Sequence, residues 1–491
     1  MIRFFLFLTL PFLLIGECKK ATPNAFKLKI IETEIEVKGK KSSVFDVVGE
    51  DGSKIIERRE GDCFNLIVEN QTSSPTALHW HGVLLPSKED GVPFVTQKPI
   101  DPGSSYPYNF KVIQSGSYYA HSHFGLQEQM LMTIPMVFLP KKYSPHRDII
   151  LFLEDFSFKT PREIWRNLRR EYVKEAKKLG LEHWMPSFKS SMKKSHDLND
   201  VDYDAFLTNR KTLENPDVYD VEPGETVRLR VMNASTSSQF FIFPGKLKAK
   251  LIAVDGNPIH PISFSEYELA TAQRIDLLLK VPKEEGAYPV LARGQGTNQQ
   301  TGLILKTKNA KVPSLSSKTK NVIGAITNSF EKRLRAKEPL KSRKIDRRLR
   351  VTLDGNMKDY VWGMNSQVWP QNKPLYVKEG ERVEITFVNN TSMSHPMHLH
   401  GHVFQVTEIE GKEFKGAVRD TILVMPYQTV KVEFDAVHPG IWAFHCHIAY
   451  HLWAGMFTVL QYEGFTPPHF SKKEVFDYSR IYGGYGLSLQ L

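Results

Sequence analysis

Cysteine is scarce: Cys18, Cys63 and Cys446 are the only three in 491 residues, so a disulfide framework is not expected. Long apolar runs are scarce too. The one candidate, FFLFLTLPFLLI at residues 4 to 15, follows Arg3. It is too short to span a bilayer and is shaped like the core of a signal peptide, so export is expected. Cys18 follows at LIGEC as a candidate lipid acceptor, with Glu17 an unfavourable neighbour, and any membrane contact is assigned to that anchor. The formal charge is +11, and ten of the nineteen residues from Lys332 to Arg350 are basic, but aromatic interleaving is missing. That argues against a nucleic-acid partner and leaves a solvated linker, or a contact with anionic lipid or envelope polymer.

What the chain does have is a repeat. GDCFNLIVEN at 61, GETVRLRVMN at 224 and GERVEITFVN at 380 share a Gly, an acid, alternating apolar residues and an Asn nine positions after the Gly. Each reads as a strand after a turn. A second piece recurs as GSYYAHSHF at 116, GAYPVLARG at 286 and GIWAFHCHI at 440. The composition is globular and 491 residues exceed one ordinary core, so an all-β chain of three tandem β-sandwich domains is expected, at 25–145, 146–310 and 345–468. Residues 1–24 are assigned to signal peptide and N-terminal tail, 311–344 to a basic linker and 469–491 to a C-terminal tail. Thr160, Pro161 and Glu163 form a capping box ahead of Ile164, Trp165, Leu168, Tyr172, Ala176 and Leu179 on one stripe. A helical insertion over 160–195 in the second domain follows.

The repeats act as a ruler for the histidines. Counting from the Asn gives His79 and His81 in the first copy and His398 and His400 in the third. Counting from the second Gly gives His121 and His123, then His445 and His447. The second copy offers Ile242, Pro244, Leu291 and Arg293 instead. In a strand, residues i and i+2 share a face, so each HxH pair aims two imidazoles at one spot. Eight imidazoles brought together by packing the third domain on the first suffice for three metal ions, and imidazole suits copper. His146, His183, His196, His260, His402, His438 and His469 read as ordinary structural residues.

Cys446 lies between His445 and His447 and therefore faces the interior of its own domain. There His395, His451 and Met456 can join it as two imidazoles, a thiolate and a weak axial thioether, the set of a blue copper electron-transfer centre. The first copy carries Ser122 and Thr76 where Cys446 and His395 stand, so one such centre is expected. With Cys446 on metal and Cys18 processed, Cys63 is left as a buried strand residue.

With these residues in hand, the chain resembles the three-domain multicopper oxidases, the group of laccases, ascorbate oxidase and copper efflux oxidases, over residues 27 to 465. Its likeness is strongest to bacterial copper-resistance oxidases, on SHFGLQEQ at 122, VDYDAFLTNRKTL at 201, HPMHLHGH at 395 and WAFHCHIAYHLWAGM at 442. The resemblance implies cupredoxin-like Greek-key sandwiches and four copper ions. Type 1 copper would take His395, Cys446, His451 and Met456, and type 2 His79 and His398. One type 3 copper would take His81, His121 and His447, the other His123, His400 and His445. Four one-electron oxidations of a reductant would then drive reduction of dioxygen to water. Asp90 matches the family's acid near type 2; its bland alternative is a turn residue before Gly91. Ala449, Leu452 and Trp453 stand where many relatives have a second acid, and Glu128 is the replacement candidate.

The reductant expected by resemblance is Cu(I), with Fe(II) or a phenol as the other choices. The Met-rich insertions that feed Cu(I) to some relatives are missing; Met130, Met132, Met185, Met192, Met393 and Met397 read mostly as core packing. Trp453 is expected at the exposed edge of the type 1 site, with the helical insertion over the same region. A monomer in the periplasm or cell envelope is the expectation. The competing reading is an envelope copper-binding or storage protein without oxidase turnover.

Overall fold

The structure, a computed structural model, describes Cys18, residues 25–170 and residues 197–470. The three repeated stretches are strands Cys63–Asn70, Thr226–Asn233 and Arg382–Asn389. Each lies parallel to an early strand of its own sheet, Phe26–Val37, Asp148–Phe156 and Arg347–Asn356 respectively. Their alternating apolar residues, such as Phe64, Leu66 and Val68, are buried on one face of the sheet. The closing Asn does the same work three times. Its side-chain oxygen accepts from the backbone N–H of Thr72, Ser235 or Thr391, and its amide donates to the carbonyl of Ser74, Ser238 or Met393. This is the local turn that Asn supports better than other residues.

Each repeat strand belongs to a sheet that packs on a second one. In the first sandwich the second sheet runs Ile56–Arg59, Thr133–Leu139, Gly116–Ser122, Leu78–His81. In the third it runs Leu375–Val377, Phe457–Tyr462, Ile441–Cys446, His395–Leu399, Thr421–Val424. Val92 and Val95 pack against Ile441, Ala443, Phe457 and Val459, joining the first sandwich to the third. Tyr119 and Val137 meet Phe152, Met232 and Ala272 of the second, and Phe241 and Ala270 of the second meet Leu423 of the third.

In the second sandwich the count along the repeats slips by one. Ile242 stands opposite Ala292 and Phe243 opposite Leu291, so Ile242 and Leu291 are not a facing pair. Ile242 points into the core, while Arg293 lies over the Phe243 ring at 4.0 Å.

Three further expectations need correction. Cys18 and Cys63 form a disulfide, and Cys63 is exposed at the start of its strand rather than buried. A thiol committed to that bond cannot also carry a lipid, so the anchor at Cys18 is not supported. The linker is no solvated spacer: Ile326, Phe330, Leu334 and Ala336 are buried, and Glu331 meets Arg419 at 3.0 Å. Part of the basic run is ion-paired, with Arg343 on Asp346, Arg347 on Glu381 and Arg348 on Glu384.

The insertion begins as read. Helix Pro161–Leu168 is opened by Thr160, whose hydroxyl accepts from the Glu163 N–H while Glu163 Oε2 accepts from the Thr160 N–H at 2.7 Å. Ile164 and Trp165 are buried, and Trp165 meets Tyr360 edge-on with ring centres 6.0 Å apart. The remainder of the expected helix, with His183, Met185, Met192 and His196, lies outside the described residues, as do the N-terminal apolar run and the C-terminal tail beyond 470.

Candidate metal centres

Strand pairing brings the histidines together. In the first sandwich His79 stands opposite His121, and in the third His398 stands opposite His445. The eight side chains meet where these two sandwiches pack, and all but half-buried His123 are fully buried. Ligand atoms of His81, His121 and His447 lie within 4.8 Å of one another, as do those of His123, His400 and His445, and those of His79, His81 and His398. His445 Nε2 is 3.0 Å from His400 Nε2 and 3.3 Å from His123 Nε2.

The donor atoms fit metal ions. His79 Nε2, His81 Nδ1, His121 Nε2, His398 Nε2 and His447 Nδ1 are buried with no hydrogen-bond partner. Buried polar atoms are normally satisfied, so five orphaned nitrogens around one spot call for cations. Burial, reinforced by neighbouring imidazoles, holds His81, His123, His398, His400 and His447 well below the ordinary imidazole value. Burial pushes His445 down to about 3. Neutral rings with free lone pairs are the form that binds metal.

Two aspartates fix the other ring nitrogens in a crossed pattern. The backbone carbonyl of Asp90 accepts from His79 Nδ1 at 2.8 Å, and its carboxylate lies 2.9 Å from His400 Nδ1 in the other sandwich. Asp420 mirrors this, its carbonyl 2.9 Å from His398 Nδ1 and its carboxylate 3.2 Å from His81 Nε2 across the interface. Such outer partners set ring orientation and ligand basicity. Glu128 is also buried, with Oε1 3.4 Å from His121 Nδ1. Asp420 escaped sequence reasoning because it stands far from any HxH pair; its mirror relation to Asp90 exists only in three dimensions.

Cys446 faces away from the cluster, as the alternation requires. Its Sγ is 3.6 Å from both His395 Nδ1 and His451 Nδ1, which are 3.1 Å from each other. The Met456 N–H donates to the His451 carbonyl and the Met456 carbonyl accepts from the Cys446 N–H, holding this buried methionine beside both. Burial pushes the Cys446 thiol up, so a thiolate there needs a cation. Met397 stands opposite Cys446 and walls the site. Thr391 Oγ1 lies 2.8 Å from His395 Nε2, and Asp200 Oδ2 lies 3.0 Å from His451 Nε2 while accepting from the Tyr360 hydroxyl at 2.8 Å. Asp200 carried no sequence signal, because it meets His451 across a sandwich boundary.

The first sandwich keeps the same cradle without the metal donors. Ser122 and Thr76 both donate to Gln127 Oε1, at 2.7 and 2.9 Å, and Thr76 Oγ1 lies 3.0 Å from Met132 Sδ. Gln127 and Met132 follow Ser122 at the spacings by which His451 and Met456 follow Cys446.

A cavity of about 60 Å³ reaches the cluster, room for a few waters or a diatomic molecule. Glu128, His121, His123, His445 and His447 line its inner end, and Val95, Leu126, Trp369 and Trp453 are among its other walls. Trp453 thus lines the cavity that reaches the histidine cluster. In the short helix Ala449–Trp453, His451 is buried, and Trp453, two residues on, points from another side of the helix.

Sequence profiles described as multicopper oxidase match residues 29–142, 178–311 and 343–464. Multicopper oxidase MmcO of Mycobacterium tuberculosis is 30% identical over 423 residues, covering 83% of this chain and 81% of that one. Copper resistance protein A of Escherichia coli is 25% identical over 566 residues, covering 89% and 92%. Among solved structures, Fet3p, a multicopper oxidase that functions in iron import, superposes with a TM-score of 0.74 at 19% identity, covering 93% of this chain and 94% of that one. A multi-copper oxidase from Pseudomonas thermotolerans gives 0.68 at 22% identity, covering 89% and 98%; both share the cupredoxin-sandwich fold. Matched in each of its three sandwiches and across most of a relative's length, the chain belongs to the multicopper oxidases.

Proposed function

We propose that this oxidase uses Cu(I) as its reductant, in copper detoxification, and holds four copper ions. Type 1 copper is held by His395, Cys446, His451 and Met456, and type 2 by His79 and His398. His81, His121 and His447 hold one type 3 copper, and His123, His400 and His445 hold the other. The observation that carries the reading is the tripeptide His445-Cys446-His447: the thiolate of one site is joined by a few bonds to ligands of the cluster. A storage protein would have no use for that connection. Bound copper supplies one-electron oxidation of the reductant at the Cys446 site and reduction of dioxygen to two waters at the histidine cluster.

The chain's own residues supply orientation, access and protons. Asp90 holds a proton source on the His79 and His400 side of the cluster, and Glu128 does so beside His121, where the cavity brings water within reach. Asp90 Oδ1 and Glu128 Oε1 are both buried, with the ring nitrogens His79 Nδ1 at 3.2 Å and His121 Nδ1 at 3.4 Å as their neighbours, and Glu128 also lines the cavity. Relatives named for copper resistance support Cu(I). Export to the envelope is supported by the apolar N-terminal run and by the Cys18–Cys63 disulfide, a bond that persists in oxidising compartments. A monomer suffices, because one chain carries every ligand.

The test is oxygen uptake by the copper-loaded protein with Cu(I), Fe(II) and a phenol in parallel, each corrected for spontaneous oxidation. Uptake fastest with Cu(I) and abolished by Cys446→Ser is expected. Faster uptake with another donor moves the substrate there, and none with any donor despite full loading leaves a copper-binding protein.

A further inference from the structure

The second sandwich contributes no histidine to the cluster, yet it reaches it through one arginine. Arg274, at the start of strand Arg274–Lys280, is fully buried, and its guanidinium grips Asp420 with both arms, Nη1 to Oδ1 at 2.7 Å and Nη2 to Oδ2 at 2.6 Å. The same group donates through Nε to the Ser117 carbonyl of the first sandwich at 3.1 Å. One side chain thus ties together all three sandwiches.

The arginine is itself held in place. Its backbone N–H donates to Asp255 Oδ1 at 2.8 Å, and Asp255 Oδ2 accepts from Arg419 at 2.9 Å, which in turn donates to Glu331 of the linker at 3.1 Å. The sequence also makes room for it. Gly82, the residue closing the HWHG motif, has φ +79°, and a Cβ there would overlap both the Arg274 guanidinium and the Asp420 carboxylate. Backbone of the first sandwich, an arginine of the second and an aspartate of the third interlock directly behind His81.

We propose that Arg274 is a positioning residue for the trinuclear site, acting through Asp420 to fix the rings of His81 and His398. This rests on the copper reading above. A bidentate guanidinium fixes a carboxylate in plane and direction as a point charge cannot. Asp420 held in this way presents Oδ1 to His81 Nε2 and its carbonyl to His398 Nδ1, so two rings on opposite sides of the interface take their orientation from one anchored residue. Asp90, its mirror partner, has no arginine or lysine within ion-pairing distance among the described residues, which makes the two halves of the cluster mechanically unequal.

The test replaces Arg274 in the copper-loaded full chain and reads copper per chain and the type 2 paramagnetic signal, with the blue absorption of the Cys446 site as internal control. Arg274→Met is expected to keep the blue absorption while type 2 copper is lost or its signal altered, with copper affinity or turnover down about 10- to 100-fold. Arg274→Lys, which keeps the charge but not the fork, is expected to recover only part of this. Folded Arg274→Met with an unchanged type 2 signal and turnover within about twofold of the parent overturns the proposal. If Arg274→Met yields no folded protein, Arg274→Lys decides on the same signals, and a wild-type type 2 signal there overturns it. A fully loaded parent that lacks the type 2 signal fails the copper reading itself and takes this inference with it.

Discussion

The first and third sandwiches carry the same cradle, filled in two ways. Around Cys446 the positions hold thiolate, two imidazoles and thioether; around Ser122 they hold two hydroxyls, a carboxamide and thioether, closed by hydrogen bonds to Gln127 Oε1. Backbone and spacing are shared, so the fold does not choose between a metal centre and a polar lock. Donor chemistry does: soft thiolate and neutral imidazole favour copper, whereas hydroxyl and amide satisfy one another and leave no orphaned lone pair.

The strongest way to break this comparison is to convert one cradle into the other. Thr76→His, Ser122→Cys and Gln127→His together are expected to add a second blue absorption and one further copper per chain, read by spectroscopy and metal analysis. Folded triple variant with unchanged copper content would mean that the cradles differ in more than their donors. A smaller effect sharpens the contrast from the other side. Among the described residues the Gln127 amide of the Ser122 cradle meets Ser74 Oγ and the Pro75 carbonyl rather than a carboxylate, so Asp200→Asn should act on the Cys446 site alone, with reductant turnover down about 10- to 100-fold and the type 1 spectrum shifted while the type 2 signal is unchanged. Smallest is the loss of the lock. Gln127→Leu leaves the Ser122 and Thr76 hydroxyls without their shared acceptor and should cost about 1–3 kcal/mol of stability by denaturant unfolding, with the blue absorption intact. A loss of blue colour in that variant would show that the two cradles are coupled.

How much of this was written along the chain follows from the physics. Strand period two placed His445 and His447 on one face and Cys446 on the other, and the repeated Asn marked equivalent turns, so the clustering of these candidate ligands was legible. Asp90 and Glu128 could be named from their distance to a histidine motif. Asp200, Asp420 and Arg274 could not, because each reaches its partner across a sandwich boundary that no local pattern encodes. The one-residue slip at Ile242 shows the limit of counting: where no metal demands a register, packing of the Ile242 side chain into the core decides it. Cys63 was misread because a lone cysteine in an alternating strand looks like core, while its mate lies 45 positions away, beyond any strand pattern.

That bond bears on how the chain matures. In a chain threaded out of the cell amino end first, Cys18 and Cys63 emerge together, long before Cys446, and can close on each other while no third thiol is present. By the time Cys446 arrives, both early sulfurs are spent, and the last thiol folds into a site from which solvent oxidants are shut out. In a chain that emerges in that order, the pairing of Cys18 with Cys63 leaves Cys446 no thiol to mispair with.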